Sequence, residues 1–320
     1  MEMGPVLRLG GAEVRTGTCS WTDPTLVKGT DWYPRKSMSA AERLAYYASR
    51  FPVVEVDSTY YWPPTPALAG GWVERTPARF VMDVKAYSLL TGHPTRRESL
   101  WEDLRGLVAE EHRERNLYAH HLPPDAVDEA WARFRHALEP LRRAGKLGGV
   151  LLQYPEWFTP KKANRQALTA ARRRLPDDNL HVELRSARWW STAEDRDRTL
   201  GALRDAGLVH VVVDAPPASG LPAVVAATAD AAVVRFHGRN DGTWGRRDVT
   251  AAERFDYLYR REELEAWVPR LEELAARVDR VHALMNNCYG DKGVRNAADL
   301  AGLLAGRAGA GDGRAGGAGG

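Results

Sequence analysis

The sequence predicts an α/β fold of the closed parallel (β/α)8, TIM barrel-like kind. Three observations carry that expectation. Eight short β-rich runs alternate with stretches of helical, amphipathic spacing, and each run is followed by a connection long enough for a crossover. Several runs, VHVVVD and AAVVRFH above all, are continuously apolar, as strands buried on both faces must be. No Gly-rich phosphate-binding turn follows the first run, which weakens an open doubly wound sheet as the competitor.

The expected strands are Val14 to Thr18, Val53 to Asp57, Phe80 to Lys85, Gly149 to Gln153, Leu180 to Leu184, Val209 to Asp214, Ala232 to His237 and Val281 to Met285. Residues 1–13 read as an N-terminal extension. Between the strands, Ser39-Ala-Ala-Glu42 has the spacing of a capping box, in which hydroxyl and carboxylate satisfy free N–H groups. Thr159-Pro160 resembles an N-cap followed by proline at the first helical position. From Asp125 to Arg143, Val127, Ala130, Trp131, Phe134, Leu138 and Leu141 form one apolar stripe. Gly207 and Gly306 are expected as left-handed helix caps. The segment 96–124 exceeds a usual βα connection and is expected to cover the mouth or side of the barrel. From residue 306 the chain is Gly- and Ala-rich, with too little apolar surface to offset ordering entropy, and reads as a disordered tail. The single domain thus spans 14–305.

Composition narrows the function classes. The hydrophobic fraction of 44% supports a large core, and 45 Lys and Arg against 42 Asp and Glu leave a net charge of only +3. This balance does not suit an obligate nucleic-acid coat, although a local basic patch stays open. No run reaches transmembrane length, so no membrane partner is expected. The two cysteines, Cys19 and Cys288, form neither a disulfide framework nor a CxxC pair, and a cytoplasmic location fits. As first and last strand followers in a closed barrel, they are expected to be neighbours.

Ordered along residues 15–305, GTCSWTD at 17–23, WYP at 32–34, LAYYASRFPVVEVDSTYYWPPTP at 44–66, LTGHP at 90–94, GGVLLQYPEWF at 148–158, HVELRSARWW at 181–190, RFHGRN at 235–240 and MNNCYGDKGVRNAADLAGLL at 285–304 resemble the YecE-like family, domain of unknown function 72. The resemblance implies a barrel fold and, the family's activity being unknown, no reaction. Cys19 departs from the small non-thiol residue common at that place in the family, and the 96–124 insertion exceeds that of shorter members.

Barrel enzymes build their sites at the C-terminal ends of the strands. Those ends here carry Ser20 and Trp21; Glu55, Asp57 and Tyr60; Lys85; Gln153; Glu183, Arg185 and Trp189; Asp214; Arg235, His237 and Arg239; Asn286 and Asn287. Buried charges at so many ends must pair or face a wet cleft, so a structural ion network and a mixed-sign site are both open. Within the site reading, Glu183, Asp57, Lys85 and His237 are the catalytic candidates and the rest bind substrate. Glu183 is a proton carrier or the fixed partner of an arginine. Lys85 is a Schiff-base nucleophile or, more simply, pairs with Asp57 or holds an anion. His237, between same-face arginines, is expected to be neutral. Seven of the 11 tryptophans follow strand ends, where flat rings suit a sugar or nucleobase face. Arg235 or Arg239, with Asn286 or Asn287 beside them, are expected to contact an anionic group.

Three functions follow. The first is a metal-independent hydrolase or lyase acting on a small anionic, sugar- or nucleotide-like substrate, with no cofactor. The second is a divalent-metal nuclease or isomerase using Glu55, Glu183, Asp214 and His237. The third is a non-catalytic binder of nucleotide or single-stranded nucleic acid.

Overall fold

Strand pairing closes on itself in the computed structural model, which describes residues 2–112, 116–246 and 248–312. The strands are β1 (Leu7–Leu9), β2 (Ala12–Thr18), β3 (Val53–Val56), β4 (Val81–Lys85), β5 (Leu147–Tyr154), β6 (Leu180–Leu184), β7 (Val209–Asp214), β8 (Ala231–Phe236) and β9 (Arg280–Met285). They follow one another in sequence order, and β2 also pairs in parallel with β9, from Glu13↔Arg280 to Thr18↔Met285. The eight strands β2 to β9 are therefore a closed parallel barrel ringed by helices. Each matches a predicted run within two residues. The sequence reading missed β1, which turns at Gly10 (φ +56°) and pairs antiparallel with β2. The residues expected as an extension thus supply β1 and the first two positions of β2.

Alternation along the strands sorts two cores. Outward positions pack beneath the helices in a large apolar layer. Inward positions Val53, Leu151, Val209, Val211, Val213, Ala231, Val233 and Leu284 fill the barrel, with Cys19 on top. Towards the strands' N-terminal ends lies a buried polar layer that the sequence reading did not single out. Asp83 accepts from His282 Nδ1 at 2.8 Å, with His181 Nδ1 at 4.0 Å. Burial would raise the Asp83 carboxyl, but His282 and His181 hold it below its ordinary value. Gly149 leaves room for this layer, since a Cβ there would lie 2.3 Å from His181 Nε2.

Among the helices, Ser39 and Glu42 form the expected capping box, with Ser39 N donating to Glu42 Oε2 at 2.7 Å. Three expectations need correction. The helix near Thr159 starts at Lys162 with Lys161 as N-cap, while the Thr159 carbonyl accepts from Asn164 Nδ2 at 2.8 Å. The stripe from Asp125 breaks into Pro124–Ala137 and Glu139–Arg143, because Pro140 lacks an N–H and its ring disturbs the preceding turn. The last helix runs through Gly306 from Lys292 to Asp312, whereas Gly207 does adopt φ +60°. The expected tail is thus helical as far as 312, and 313–320 lie outside the described residues.

The 96–124 insertion packs on the barrel's side. Leu100, Leu104, Val108, Leu117 and Leu122 join the outer core, and Arg133 Nη1 and Nη2 grip Asp103 at 2.8 and 2.6 Å.

Candidate active site

At the C-terminal mouth the inward positions of β3, β6 and β8 meet in an ion network. Arg235 donates to both oxygens of Glu55, Nε to Oε2 at 2.9 Å and Nη2 to Oε1 at 2.7 Å, and its Nη1 donates to Glu183 Oε2. Glu183 Oε1 accepts from Gln153 Nε2 at 2.8 Å, Arg185 Nε at 2.8 Å and His237 Nε2 at 3.2 Å. His237 Nδ1 in turn lies 2.7 Å from Asn286 Nδ2, which fixes the Nε2–H tautomer. Two carboxylates and two guanidiniums balance in charge. Glu55, Glu183, Arg235 and His237 are at most 1% exposed, so they form a floor.

The electrostatics set the two floor carboxylates apart: burial raises Glu55 despite Arg235 and Lys85, whereas Glu183 is a fixed charge. Burial works against ionisation of Glu183, but Arg235, His237 and Arg185 overcome it and hold its pKa well below the usual carboxylate range. A carboxylate with four donors has little freedom to carry a proton. Burial pushes His237 down to about 4, leaving it neutral as expected. Its two nitrogens are taken by Glu183 and Asn286, so it does not offer a free nitrogen to a ligand.

Above the floor is a cleft of about 660 Å³. Of the sequence-predicted residues, Ser20, Asp57, Tyr60, Lys85, Gln153, Arg185 and Asn286 line it. Arg185 uses Nε on Glu183; its outer nitrogens make no other hydrogen bond or ion pair among the described residues. Lys85 Nζ stands 4.5 Å over the Tyr60 ring, and among the described residues neither it nor the Asp57 carboxyl has a hydrogen bond or ion pair. Burial pushes Asp57 up to about 6, against the pull of Lys85. Burial, then Arg235, pushes Lys85 down to about 8, with Glu55 opposing. Ser20 sits at φ +131°, a backbone region that L residues avoid, which strains the chain where it enters the cleft.

Besides the four floor residues, five more predicted residues do not line the cleft. Asp214 is even-numbered on β7, whose inward side chains are Val209, Val211 and Val213, so it faces outward. There it accepts from Arg239 Nε at 2.9 Å and Nη2 at 2.6 Å, Tyr259 Oη at 2.9 Å and Trp267 Nε1 at 2.5 Å. Arg239 follows Gly238, whose φ of +82° breaks the strand's alternation and sends the guanidinium to Asp214 and Glu263. Asn287 is buried and donates to the Tyr257 carbonyl and Asn296 Oδ1, each at 2.8 Å. Trp189 is fully buried, its Nε1 donating to the Phe158 carbonyl, and Trp21 packs edge-on against Trp72 at 6.2 Å. No tryptophan lines the cleft among the described residues; its aromatic wall is Tyr60, Tyr61, His93 and Phe255.

The sequence reading gave no site role to several lining residues. Asp23 also caps the helix Pro24–Gly29, accepting from Thr25 N at 2.8 Å, and that role is what its Asp-Pro context signals. Burial, then Lys85 and Arg185, pushes His93 down to about 3. Arg254 ends the short helix Ala251–Arg254 after β8, with no pattern to mark it. Cys19 and Cys288 both line the cleft as neighbours, with Cys288 Sγ 3.5 Å from the Cys19 carbonyl and both thiols free.

Fold and site together define a (β/α)8 barrel protein with a buried carboxylate–guanidinium floor under a mixed-charge cleft. Comparison with known sequences places it more narrowly. The chain belongs to the family described as "Protein of unknown function DUF72", whose model matches residues 15–315. It is 31% identical over 294 residues to the UPF0759 protein YunF of Bacillus subtilis, covering 90% of this chain and 93% of that one. Among solved structures it is similar to a DUF72 family protein of Thermotoga maritima, with 29% identity, a TM-score of 0.72 and coverage of 91% and 98%. A DUF72 family protein of Enterococcus faecalis gives a TM-score of 0.73 at 24% identity, with coverage of 91% and 95%.

Proposed function

We propose that the protein is a metal-independent enzyme of the hydrolase or lyase type, acting on a small anionic, sugar- or nucleotide-like substrate in the cleft. The observation that carries this reading is the free-standing pair Asp57 and Lys85, both titrating near neutrality, beside the unused outer nitrogens of Arg185. Arg185 binds the anionic group, with Arg254 at the rim. Asp57 moves the proton, and Gln153 and Asn286 orient the substrate. The floor keeps Arg185 aimed, since its Nε is pinned by Glu183. Arg235 and Arg239, the arginines first expected to hold the anion, are each gripped by a carboxylate, which favours Arg185 for that role.

The metal-dependent reading needs Glu55, Glu183, Asp214 and His237 to share one space. Asp214 faces the other way, and among the described residues no three His, Cys, Asp or Glu are grouped to hold a metal. The nucleic-acid reading keeps only tryptophans beside the cleft's lining, Trp157 at 6.0 Å from the His93 ring and Trp244 at 6.2 Å from Phe255. No described helix is long and apolar enough to cross a membrane. The narrower YecE-like assignment and a cytoplasmic location belong to the same proposal, on the motifs and the free thiols.

Calorimetric titration with phosphate, sulfate and sugar phosphates tests the binding half. Arg185→Ala is expected to weaken binding by about 10- to 100-fold, the worth of a charged hydrogen bond. Arg239→Lys is expected to leave affinity unchanged and lower folding stability. Absence of binding to wild type, or loss of binding in Arg239→Lys with Arg185→Ala unaffected, overturns the assignment.

A further inference from the structure

The cleft holds one group whose chemistry exceeds charge pairing. The chain is arginine-rich: of its 45 basic residues only seven are lysine. Six of those have ordinary employment. Lys146 is buried, and its ammonium donates to the Val73 and Thr76 carbonyls at 2.8 Å each and to Thr76 Oγ1 at 3.0 Å. Lys36 pairs with Asp31 and Lys292 with Asp256. Lys28, Lys161 and Lys162 are exposed. Lys85 alone lines the cleft, over Tyr60 and without an acceptor among the described residues. Arginine could hold an anion there at least as well, but a guanidinium stays protonated and cannot attack a carbonyl. A lysine amine can, once it is deprotonated.

We propose that Lys85 is a covalent nucleophile whose Nζ condenses with the carbonyl carbon of a small carboxylate- or phosphate-bearing aldehyde or ketone held by Arg185. The proposal rests on the cleft being the substrate site and narrows the reaction there to imine-forming lyase chemistry. The Nζ lone pair forms the C–N bond while the carbonyl π pair moves to oxygen, which takes the proton of the Asp57 carboxyl. The resulting carbinolamine loses an N–H proton to the Asp57 carboxylate. Its hydroxyl then leaves as water with that proton, so amine, carbonyl and the protonated Asp57 give a protonated imine, one water and the Asp57 carboxylate. The protonated imine then accepts the electron pair released when a neighbouring C–H bond gives its proton to the Asp57 carboxylate, or when a neighbouring C–C bond breaks and its far carbon leaves as CO2 or, with its hydroxyl proton passing to Asp57, as an aldehyde. Water then hydrolyses the imine and returns the Lys85 amine.

The surroundings of both groups favour this sequence. Lys85 faces Glu55 and Asp57 from the third strand and its loop, Arg185 from the sixth, Arg235 from the eighth, and His93 from the loop after its own strand. With burial and the two arginines bringing its pKa to about 8, about a tenth of molecules hold a neutral amine at neutral pH. An ordinary lysine offers roughly one in a few thousand. Asp57, at about 6, passes between acid and carboxylate in the same range. Glu183 in the floor beneath, held well below the usual carboxylate range by Arg235, His237 and Arg185, stays charged and does not compete for the proton.

Reductive trapping decides the matter. Wild-type protein is incubated near neutral pH with glyoxylate, the smallest aldehyde carrying a carboxylate, and sodium cyanoborohydride, which reduces an imine to a stable secondary amine. Peptide mass spectrometry then reads carboxymethylation at each lysine. Lys85 is expected to label at least about tenfold faster than Lys28, Lys161 or Lys162. The label is expected to vanish from that peptide in Lys85→Arg and to form more slowly in Asp57→Asn. The wild-type site map stands even where a variant fails to fold. Labelling spread over the surface lysines with no preference for Lys85 overturns the proposal. Calorimetry with oxalate, which lacks an aldehyde, separates the two readings. Oxalate binding that depends on Arg185 without Lys85 labelling leaves the anion cleft and removes the imine; loss of both removes both.

Discussion

Asp57 and Lys85 each stand in the native cleft with a charge that water would solvate better. For Asp57, the folded pKa of about 6 exceeds the unfolded value of 3.8, so the native state binds the proton more tightly. Its contribution is therefore present at low pH and lost as pH rises from about 4 to 6. For Lys85, about 8 against 10.5, the unfolded chain holds the proton more tightly, and stability is withheld until pH rises through about 8 to 10.5. At neutral pH both charges weigh against folding. Asp57→Asn and Lys85→Met are each expected to stabilise the protein at pH 7, by about 1–2 kcal/mol after allowing for partial solvent screening. Urea denaturation measures this, and a loss of stability in both would show that they form a structural pair. Glu183→Gln should do the opposite, costing about 3–5 kcal/mol by leaving Arg235 and Arg185 short of a partner. These residues were legible because charged side chains interrupt apolar strands. Their division into floor and cleft was less so, because sequence gives a residue's parity on a strand but not its partner across the barrel.

Strand parity also explains where element-level reading succeeded. Short β-rich runs alternating with helical stretches located all eight barrel strands, and several of those runs are continuously apolar because a strand buried on two faces admits few other residues. Asp214 was misplaced because its nearness to the strand end outweighed its outward parity. The short strand Leu7–Leu9 escaped because three residues carry no period. Gly306 was misread because glycine marks helix ends more often than interiors, whereas here the helix runs on from Lys292 to Asp312. That correction has a measurable consequence. A Cβ at Gly306 meets nothing within 4 Å, so Gly306→Ala should stabilise by about 0.5–1 kcal/mol. A left-handed cap would instead be destabilised. Gly149→Ala, which drives a Cβ towards His181, should cost about 1–3 kcal/mol. Thermal unfolding of the two variants should therefore move in opposite directions.

At the scale of the whole molecule, burial leaves three neutral imidazoles inside the closed fold, with a fourth, His93, in the cleft adding to their effect. His181, His210 and His237 are each pushed down to about 4 from an ordinary 6.5. Between these values the unfolded chain takes up protons that the native state refuses, so stability falls as pH drops from about 6.5 to 4. Asp57 supplies an opposing slope of one proton over about the same range. The net expectation is a loss of several kcal/mol on mild acidification, read as a falling urea midpoint. A flat or rising midpoint would mean that at least two of these histidines are protonated in the native state. Only His237 was read as neutral from the sequence, through its same-face arginines; His181 and His210 on their strands give no sign of facing a sealed layer rather than a wet mouth.

The closing seam of the barrel has a practical use. The only two cysteines in the chain follow the strands that meet there, and both border the cleft. They form a built-in occupancy gauge: anything that fills the cleft must shield Cys288, the less buried of the two, from a small alkylating reagent. Compound libraries can therefore be ranked by how much they slow that alkylation, with no turnover assay and no foreknowledge of the substrate.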